Sequence, residues 1–228
     1  MHLFREFGTR ALRSQVKSRT IGKWSGKPAQ AGFSLIELLI VLAITLVLTA
    51  LSLPMIITAV HQAHLRKIAA NYEGELQNAR LRAVQDNRFY TVRTGAAGGG
   101  ATLIYVDIYP QNADGTSGGG TYVTNDPAVE IPSDVVINTG APIQSSLATK
   151  MGFTPTVVDN VTTFAAFNAR GRPCTPSGST CSDTGGVGYV IFLYSMITNS
   201  WEAISVSPGG RIRTWTYESG GGGLWYAL

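Results

Sequence analysis

An uninterrupted apolar run near the N-terminus constrains this chain more than any other feature. Residues 33–53 contain one charged side chain, Glu37, and are otherwise dominated by leucine, isoleucine, valine and alanine. A helix rises about 1.5 Å per residue, so this run would span ~32 Å and cross the ~30 Å hydrocarbon core of a bilayer. A secretory signal peptide is disfavoured because its apolar core has only about 7 to 15 residues. The sequence therefore predicts one membrane-spanning helix.

Charged residues are distributed unevenly before and after the start of this run. Residues 1–32 hold seven basic side chains and one acidic side chain, whereas residues 33–228 hold 11 basic and 13 acidic side chains. Basic residues flank the cytoplasmic end of a membrane helix, so we expect the rest of the chain to be exported. If the leader is removed, the net charge of +4 describes a precursor and gives no evidence for a nucleic-acid partner.

The carboxylate within the apolar run needs an explanation, because burial near the middle of a membrane costs ~2.5–3.5 kcal/mol. One interpretation is that Glu37 is hydrated at the cytoplasmic interface. The other depends on cleavage of the Gly32–Phe33 bond, which would create an α-amine that is mostly positive at neutral pH. This amine could pair with Glu37 of the same helix or of an adjacent subunit, and the second pairing would set the register of an assembly.

These residues resemble a known processing signal. Gly32, Phe33, Glu37 and Pro54 stand at the spacing of the class III signal of type IV pilins and type II secretion pseudopilins. The resemblance implies cleavage after Gly32 by a prepilin peptidase, N-methylation of Phe33, and packing of the apolar helix with other pilins in a filament core. It also implies that Glu37 pairs with a neighbour's N-terminus and that Pro54 marks a kink or a melted stretch. An ordinary signal anchor, the alternative, has no use for Glu37 at that distance from a glycine.

The resemblance divides the chain into three parts. Residues 1–32 are a leader removed by the peptidase, residues 33–60 are a transmembrane and filament-core helix, and residues 61–228 are an exported stalk and globular head. The expected location is the inner (cytoplasmic) membrane, whose lipid surrounds a single span, with the head in the periplasm or outside the cell.

Beyond the apolar run the pattern becomes amphipathic and predicts one helix to about Asn87. His61 and His64 lie at i and i+3, but no carboxylate or cysteine stands at ligand distance in the sequence, so a solvated helix face is favoured over a metal site. Leu81 is an exception to the apolar stripe, which comprises Leu65, Ile68, Ala69, Tyr72, Leu76, Ala79 and Ala83.

After Arg88 short β-branched and aromatic runs alternate with glycine and proline, which predicts an antiparallel β-rich head. The fold class is therefore α+β, with a long N-terminal helix packed on this head. Residues 112–115 indicate a hairpin turn, favoured over a calcium loop with Asp107 and Asp126 because the oxygen ligands lack regular spacing. The predicted strands are residues 89–93, 102–109, 135–138, 161–167, 187–197, 201–206 and 211–217.

The two cysteines and the missing enzyme motifs limit the kinds of chemistry that this chain can carry out. Cys174 and Cys181 enclose six residues, and in an oxidising compartment we expect a disulfide worth about 2.5 kcal/mol, with zinc or redox chemistry as minor alternatives. No nucleophile-elbow, HExxH or phosphate-loop motif is present, and after cleavage the remaining histidines lie on the helix. An enzyme is therefore not expected, and no metal or cofactor is predicted.

A proline-glycine turn near the end of the head precedes alternating arginines and aromatic residues. In the following strand Arg211, Arg213, Trp215 and Tyr217 would share one face. Guanidinium groups beside aromatic rings suit a nucleic-acid strand, because the former meet phosphates and the latter stack on bases. The alternative, favoured by these residues alone, is that Trp215 is buried and that the arginines pair with nearby glutamates.

The letters GRIR at residues 210–213 resemble the GRxR element of the GspH/FimT group of minor pilins, and residues 79–84 are similar to that group's helix. Some FimT-like members bind DNA through this element during natural transformation, whereas GspH-like members lie near the tip of the secretion pseudopilus. The resemblance therefore implies a minor pilin or pseudopilin that assembles into a type IV pilus or a type II secretion pseudopilus. As an alternative function it implies DNA binding through Arg211 and Arg213.

Two further segments leave alternatives open. Arg170 and Arg172 would extend the basic patch, an inference that rests on composition. The tail, residues 220–228, has four glycines followed by LWYAL, and is either a docking strand or a frayed end.

Overall fold

The structure is a computed structural model that describes residues 33–96, 101–107, 126–142, 144–178, 180–219 and 223–228. The leader with Gly32 and the turn predicted at residues 112–115 lie outside this part of the chain. The described residues fall into two units, which are divided between Val47 and Leu48. The predicted α+β class is confirmed: a long apolar N-terminal helix accompanies an antiparallel β-rich head. In chain order the elements are α1 (Leu35–Gln85), β1 (Tyr90–Ala96), β2 (Thr102–Asp107), β3 (Ala128–Ile131), β4 (Val135–Ile137), α2 (Gln144–Met151), β5 (Thr156–Val157), β6 (Ala165–Phe167), β7 (Thr175–Ser177), β8 (Thr180–Ser182), β9 (Tyr189–Ser195), β10 (Ser200–Val206), β11 (Ile212–Glu218) and β12 (Leu224–Ala227).

Helix α1 ends two residues before the predicted end, for a local reason. Asn87 has a φ of 52°, the left-handed conformation that often follows the last turn of a helix. The amide of Arg88 donates to the carbonyl of Ala83 at 3.1 Å, which closes a Schellman motif.

Pro54 lies within α1, and the helix continues through it without interruption. Proline removes its own N–H from the helical ladder and its ring crowds the carbonyl four residues earlier, so a kink or a melted stretch at Pro54 stays a prediction for the assembled helix.

Two antiparallel sheets form most of the head. The first has the strand order β3-β2-β1-β6, and the second has the order β12-β11-β10-β9-β4, with β5 paired in parallel to β9. A third, two-stranded sheet joins β7 to β8. A disulfide between Cys174 and Cys181 crosses this hairpin, with the two Cα atoms 5.4 Å apart.

The apolar stripe of α1 is confirmed as part of the main core. Its seven predicted members are all buried, whereas Leu81 is exposed. They lie in one cluster with Val92 and Ile104 of the first sheet and with Ile191 and Ile204 of the second sheet. Complete burial of such a side chain contributes about 1.5–3 kcal/mol relative to its exposure, so α1 supplies a large share of the core.

A smaller core covers the other face of the second sheet. Because successive strand residues point to opposite faces, Phe192 and Ala203 contact a different cluster from their neighbours. That cluster contains Leu147 of α2, Trp215 of β11 and Trp225 of β12. The indole nitrogen of Trp225 donates to the carbonyl of Pro142 at 3.1 Å.

Several elements differ from the predicted ones. The strand predicted at residues 161–167 begins only at Ala165, because the Asp159 carboxylate organises the preceding residues into a turn. One oxygen of this carboxylate accepts hydrogen bonds from three successive backbone amides at 2.7–2.9 Å. Hydrogen bonds from the Thr162 hydroxyl and from these amides hold the pKa of Asp159 well below its ordinary value.

Other elements lacked a clear signal. No strand was predicted where β3 lies, and the short elements α2, β5, β7 and β8 were not predicted either. The tail forms β12, which pairs with β11 from Trp215 opposite Ala227 to Glu218 opposite Leu224. Asp107, considered above as a calcium ligand, instead forms an ion pair with Arg93, whose Nε lies 3.2 Å from Oδ2.

Candidate functional site

The apolar half of α1 is the first candidate surface. Its large side chains are exposed, from Phe33 at 80% to Val60 at 45%. Among the described residues, α1 is the helix that is long and apolar enough to cross a membrane, with a mean hydropathy of 2.6 in its most apolar window. Contiguous apolar area of this extent marks a membrane or protein interaction surface.

Glu37 lies in the first turn of α1, where the positive end of the helix dipole favours a carboxylate. It is exposed among exposed leucines and isoleucines. Within the ranges given above, the ion pairs are those of other carboxylates, namely Asp107, Asp134, Asp183 and Glu202. A cationic partner for Glu37 would therefore come from outside the described part of the chain.

The GRIR element is the second candidate site, and a tight turn positions it. The amide of Gly210 donates to the carbonyl of Ser207 at 2.7 Å, and the amide of Ser207 donates to the carbonyl of Arg211 at 2.9 Å. The Ser207 hydroxyl accepts from the Arg211 amide at 3.0 Å. Gly210 has a φ of 82°, a conformation that glycine adopts without a steric penalty.

Arg80 of α1 joins this turn to a second glycine-arginine loop. Its Nη1 donates to the carbonyl of Gly210 at 2.9 Å. A Cβ on Gly210 would lie 2.8 Å from the carbonyl oxygen of Gly171, and a Cβ on Gly171 would lie 3.1 Å from Val84. The contact between the two loops therefore requires glycine at position 210, and the φ of 70° at Gly171 also favours glycine.

A cleft of about 610 Å³ opens where these loops meet, lined by the arginines Arg80, Arg170 and Arg211. Apolar groups of Leu81, Val84 and Ile212 also line it. Arg170 was predicted from composition to extend the basic patch, and it does line this cleft. Arg172 is instead directed towards Asp183, with 4.0 Å between Nη1 and Oδ2.

Trp215 lines a smaller cleft with Arg211 and Arg213, but it is nearly buried, as the alternative interpretation of this strand expects, so little of its ring is accessible for stacking on a base. Its side chain is 3% exposed, and its indole nitrogen donates to the Ser205 hydroxyl at 2.8 Å. Tyr217 packs its ring 5.2 Å from that of Trp225. The alternation of β11 does separate two faces, but the face with the aromatic rings is the one that the smaller core covers. Arg211 and Arg213 remain exposed.

A buried carboxyl lies beside the two arginines. Glu202, Arg66, Arg211 and Arg213 line a neighbouring cleft of about 600 Å³ together with Glu73. Burial raises the pKa of Glu202 to about 7, and the Arg66 guanidinium, 3.7 Å away, partly opposes this shift. As the pH falls through 7 this carboxyl gains a proton, and the local charge becomes more positive.

The structure also brings a carboxylate to the two histidines of α1. Asp134, which precedes β4, lies within 4 Å of both His61 and His64. No carboxylate stands near these histidines in the sequence, but the fold supplies one. Sequence reasoning missed Asp134 because 73 residues separate it from His61.

Comparison with known families identifies a motif near the start of the chain. Residues 27–53 match the prokaryotic N-terminal methylation motif. No curated protein and no solved structure matches the chain. Motifs of this kind imply in general an interaction with a prepilin peptidase and with other pilins, are consistent with membrane anchoring, and suggest a structural protein. The chain therefore carries a type IV pilin-like signal at the beginning of α1.

Proposed function

We propose that this protein is a minor pilin or pseudopilin of the GspH/FimT type, a structural and assembly component of a type IV pilus or a type II secretion pseudopilus. The observation that carries the proposal is the methylation motif at residues 27–53, and the exposed apolar side chains of α1, which begins within this motif at Leu35, support it. Such a surface can be covered first by membrane lipid and later by the same helices of neighbouring subunits.

The proposed mechanism begins with cleavage after Gly32, which removes residues 1–32. The new N-terminus, Phe33, is N-methylated and retains a positive charge. Glu37 of one subunit then pairs with the Phe33 amine of the next, while residues 33–60 form the filament core. In an apolar environment an unpaired carboxylate is costly, so a misaligned helix is penalised. Residues 61–228 form the exported stalk and head.

Mass spectrometry of the N-terminus tests this processing. Protein extracted from membranes of cells that express a prepilin peptidase should begin at Phe33 and carry one added methyl group. The matched control is the same chain from cells that lack the peptidase, which should retain residues 1–32. If the first sample still carries all 32 leader residues, the proposed processing and the pairing that depends on it are wrong.

DNA binding is the second candidate function, and the arrangement of arginines favours it. Arg80, Arg170 and Arg211 line one cleft, and Arg211 and Arg213 line the next. Guanidinium groups spaced along a surface can follow a phosphate backbone. Because the chain without its leader has a net charge of −2, a single copy should bind weakly, and display of many copies on a filament would raise the avidity.

Replacement of both exposed arginines tests this function. The full-length chain in detergent should shift labelled DNA in a gel, and Arg211→Ala/Arg213→Ala should bind more weakly. The slope of log affinity against log salt should fall by about 0.7–0.9 for each phosphate that the variant no longer neutralises. Arg172→Ala is the matched control, because Arg172 faces Asp183, and it should resemble the wild type. Equal affinity and slope in all three proteins would reject DNA binding by this element.

A further inference from the structure

The cluster of His61, His64 and Asp134 has the composition and geometry of a metal site. Its three potential ligand atoms all lie within 4.8 Å of one another. One oxygen of Asp134 lies 2.7 Å from Nδ1 of His61 and 3.8 Å from Nδ1 of His64. Two ligands on one tetrahedral zinc ion are about 3.3 Å apart, given bonds of about 2.0–2.2 Å. The observed distances lie on either side of this value, so small side-chain rotations would suffice.

A hydrogen bond between a histidine and an aspartate accounts for only part of this arrangement. The 2.7 Å contact is such a bond, and it satisfies His61. His64 directs the same ring nitrogen towards the same oxygen, but 3.8 Å is too long for a hydrogen bond. The two imidazole rings meet edge to face, with 5.9 Å between their centroids, and both direct Nδ1 towards the same oxygen of Asp134.

The surroundings suit a small cation with an open position. Asp134 is nearly buried, His61 is mostly buried and His64 is half-exposed, so water can reach one side of the cluster. The backbone fixes Asp134, since its carbonyl accepts from the Met196 amide at 3.0 Å. Lys67 and Glu130 line the adjoining cleft, and these two side chains carry opposite charges.

We propose that His61, His64 and Asp134 bind one divalent transition-metal ion of the zinc class, with water as the remaining ligand. Imidazole nitrogen and carboxylate oxygen are ligands that Zn²⁺ accepts, and three protein ligands leave one tetrahedral position open. The ion joins α1 to the segment before β4 and closes a loop that contains the whole of β1, β2 and β3. It therefore links the stalk to the edge of the second sheet.

Metal titration of the full-length chain tests the site. The protein is purified in detergent without a polyhistidine tag, stripped of metal with EDTA, and titrated with ZnCl₂ in a calorimeter and with Co²⁺ by visible absorption. We expect one site per chain. At a Zn²⁺ concentration 100 times the dissociation constant, the folded-to-unfolded ratio should rise about 100-fold, which raises the melting temperature by roughly 5–10 °C.

Three variants locate the ion. His64→Ala removes one ligand and leaves the bond between His61 and Asp134 in place, so its metal-free circular dichroism should match that of the wild type. Its affinity for Zn²⁺ should fall by more than the 10- to 100-fold that loss of an outer-shell partner costs. Asp134→Asn should lose as much. His2→Ala, which removes the remaining histidine of the chain, is the control and should bind like the wild type. Failure of Zn²⁺ to stabilise the wild type, or equal affinity in all four proteins, would overturn the proposal.

Discussion

Glu37→Gln should leave membrane insertion intact while incorporation into filaments falls at least 100-fold. On the proposed pairing, the carboxylate meets the Phe33 amine of a neighbour in an apolar core, where loss of one partner from a buried ion pair costs about 3–5 kcal/mol. Glutamine preserves the shape of the side chain and removes its charge. The measurement is the ratio of sheared filament protein to membrane-extracted protein, by immunoblot against the head.

A second polar residue in the same helix provides the matched control. Ser52 donates its hydroxyl to the carbonyl of Leu48 at 2.8 Å, so it needs no partner from another subunit. Ser52→Ala should therefore incorporate like the wild type. If Glu37→Gln also incorporates normally, Glu37 does not set the stagger of the subunits, and the interpretation of a hydrated interfacial carboxylate is preferred.

Trp225→Ala should destabilise the head by about 3–5 kcal/mol, which lowers its melting temperature by roughly 10 °C. The side chain is fully buried and its ring lies 5.7 Å from that of Phe192 and 5.2 Å from that of Tyr217. The substitution removes this ring packing, leaves a cavity and deprives the Pro142 carbonyl of its donor. The loss of stability is measured by thermal unfolding of the full-length chain in detergent. Far-ultraviolet circular dichroism monitors the unfolding, because this signal comes mainly from the backbone.

The neighbouring residue of β12 is the control for this substitution. Tyr226 is 43% exposed, and its ring lies under the ammonium group of Lys150 at 4.9 Å. Tyr226→Ala should cost less than about 1 kcal/mol, since an exposed cation–π contact contributes only about 0.5–1 kcal/mol. Equal effects of the two substitutions would mean that β12 does not anchor the smaller core.

Features with a long, regular period could be predicted from the sequence. The apolar stripe of α1 repeats over five turns, from Leu65 to Ala83, and every predicted member is buried. The central strands β9, β10 and β11 were found because β-branched and aromatic runs of seven residues stand between turn residues. Their boundaries differ by one or two residues, since end positions depend on capping and turn contacts rather than on period.

Short or nonlocal features could not be predicted in the same way. α2 has eight residues and one buried side chain, Leu147, too few to establish a helical period. Strand β12 follows four glycines, and contacts distant in sequence define it, namely its pairing with β11 and the burial of Trp225 in the smaller core. For the candidate sites, the N-terminal motif is local and therefore readable from spacing, whereas Asp134 reaches the histidines only through tertiary structure. The alternation of β11 placed Trp215 on one face correctly, but it carried no information on which face α2 covers.

The burial of the α1 stripe determines how this protein can be cut into soluble pieces. A fragment that begins at β1 would lack Leu65, Ile68, Tyr72 and Leu76, so it would expose Ile104 and Ile191 to water. It would also lack Arg80 and separate the two glycine loops. An expression fragment of the head therefore has to start upstream of Leu65, and upstream of His61 if the metal ligands are to be retained, while its first residue can follow the exposed apolar segment.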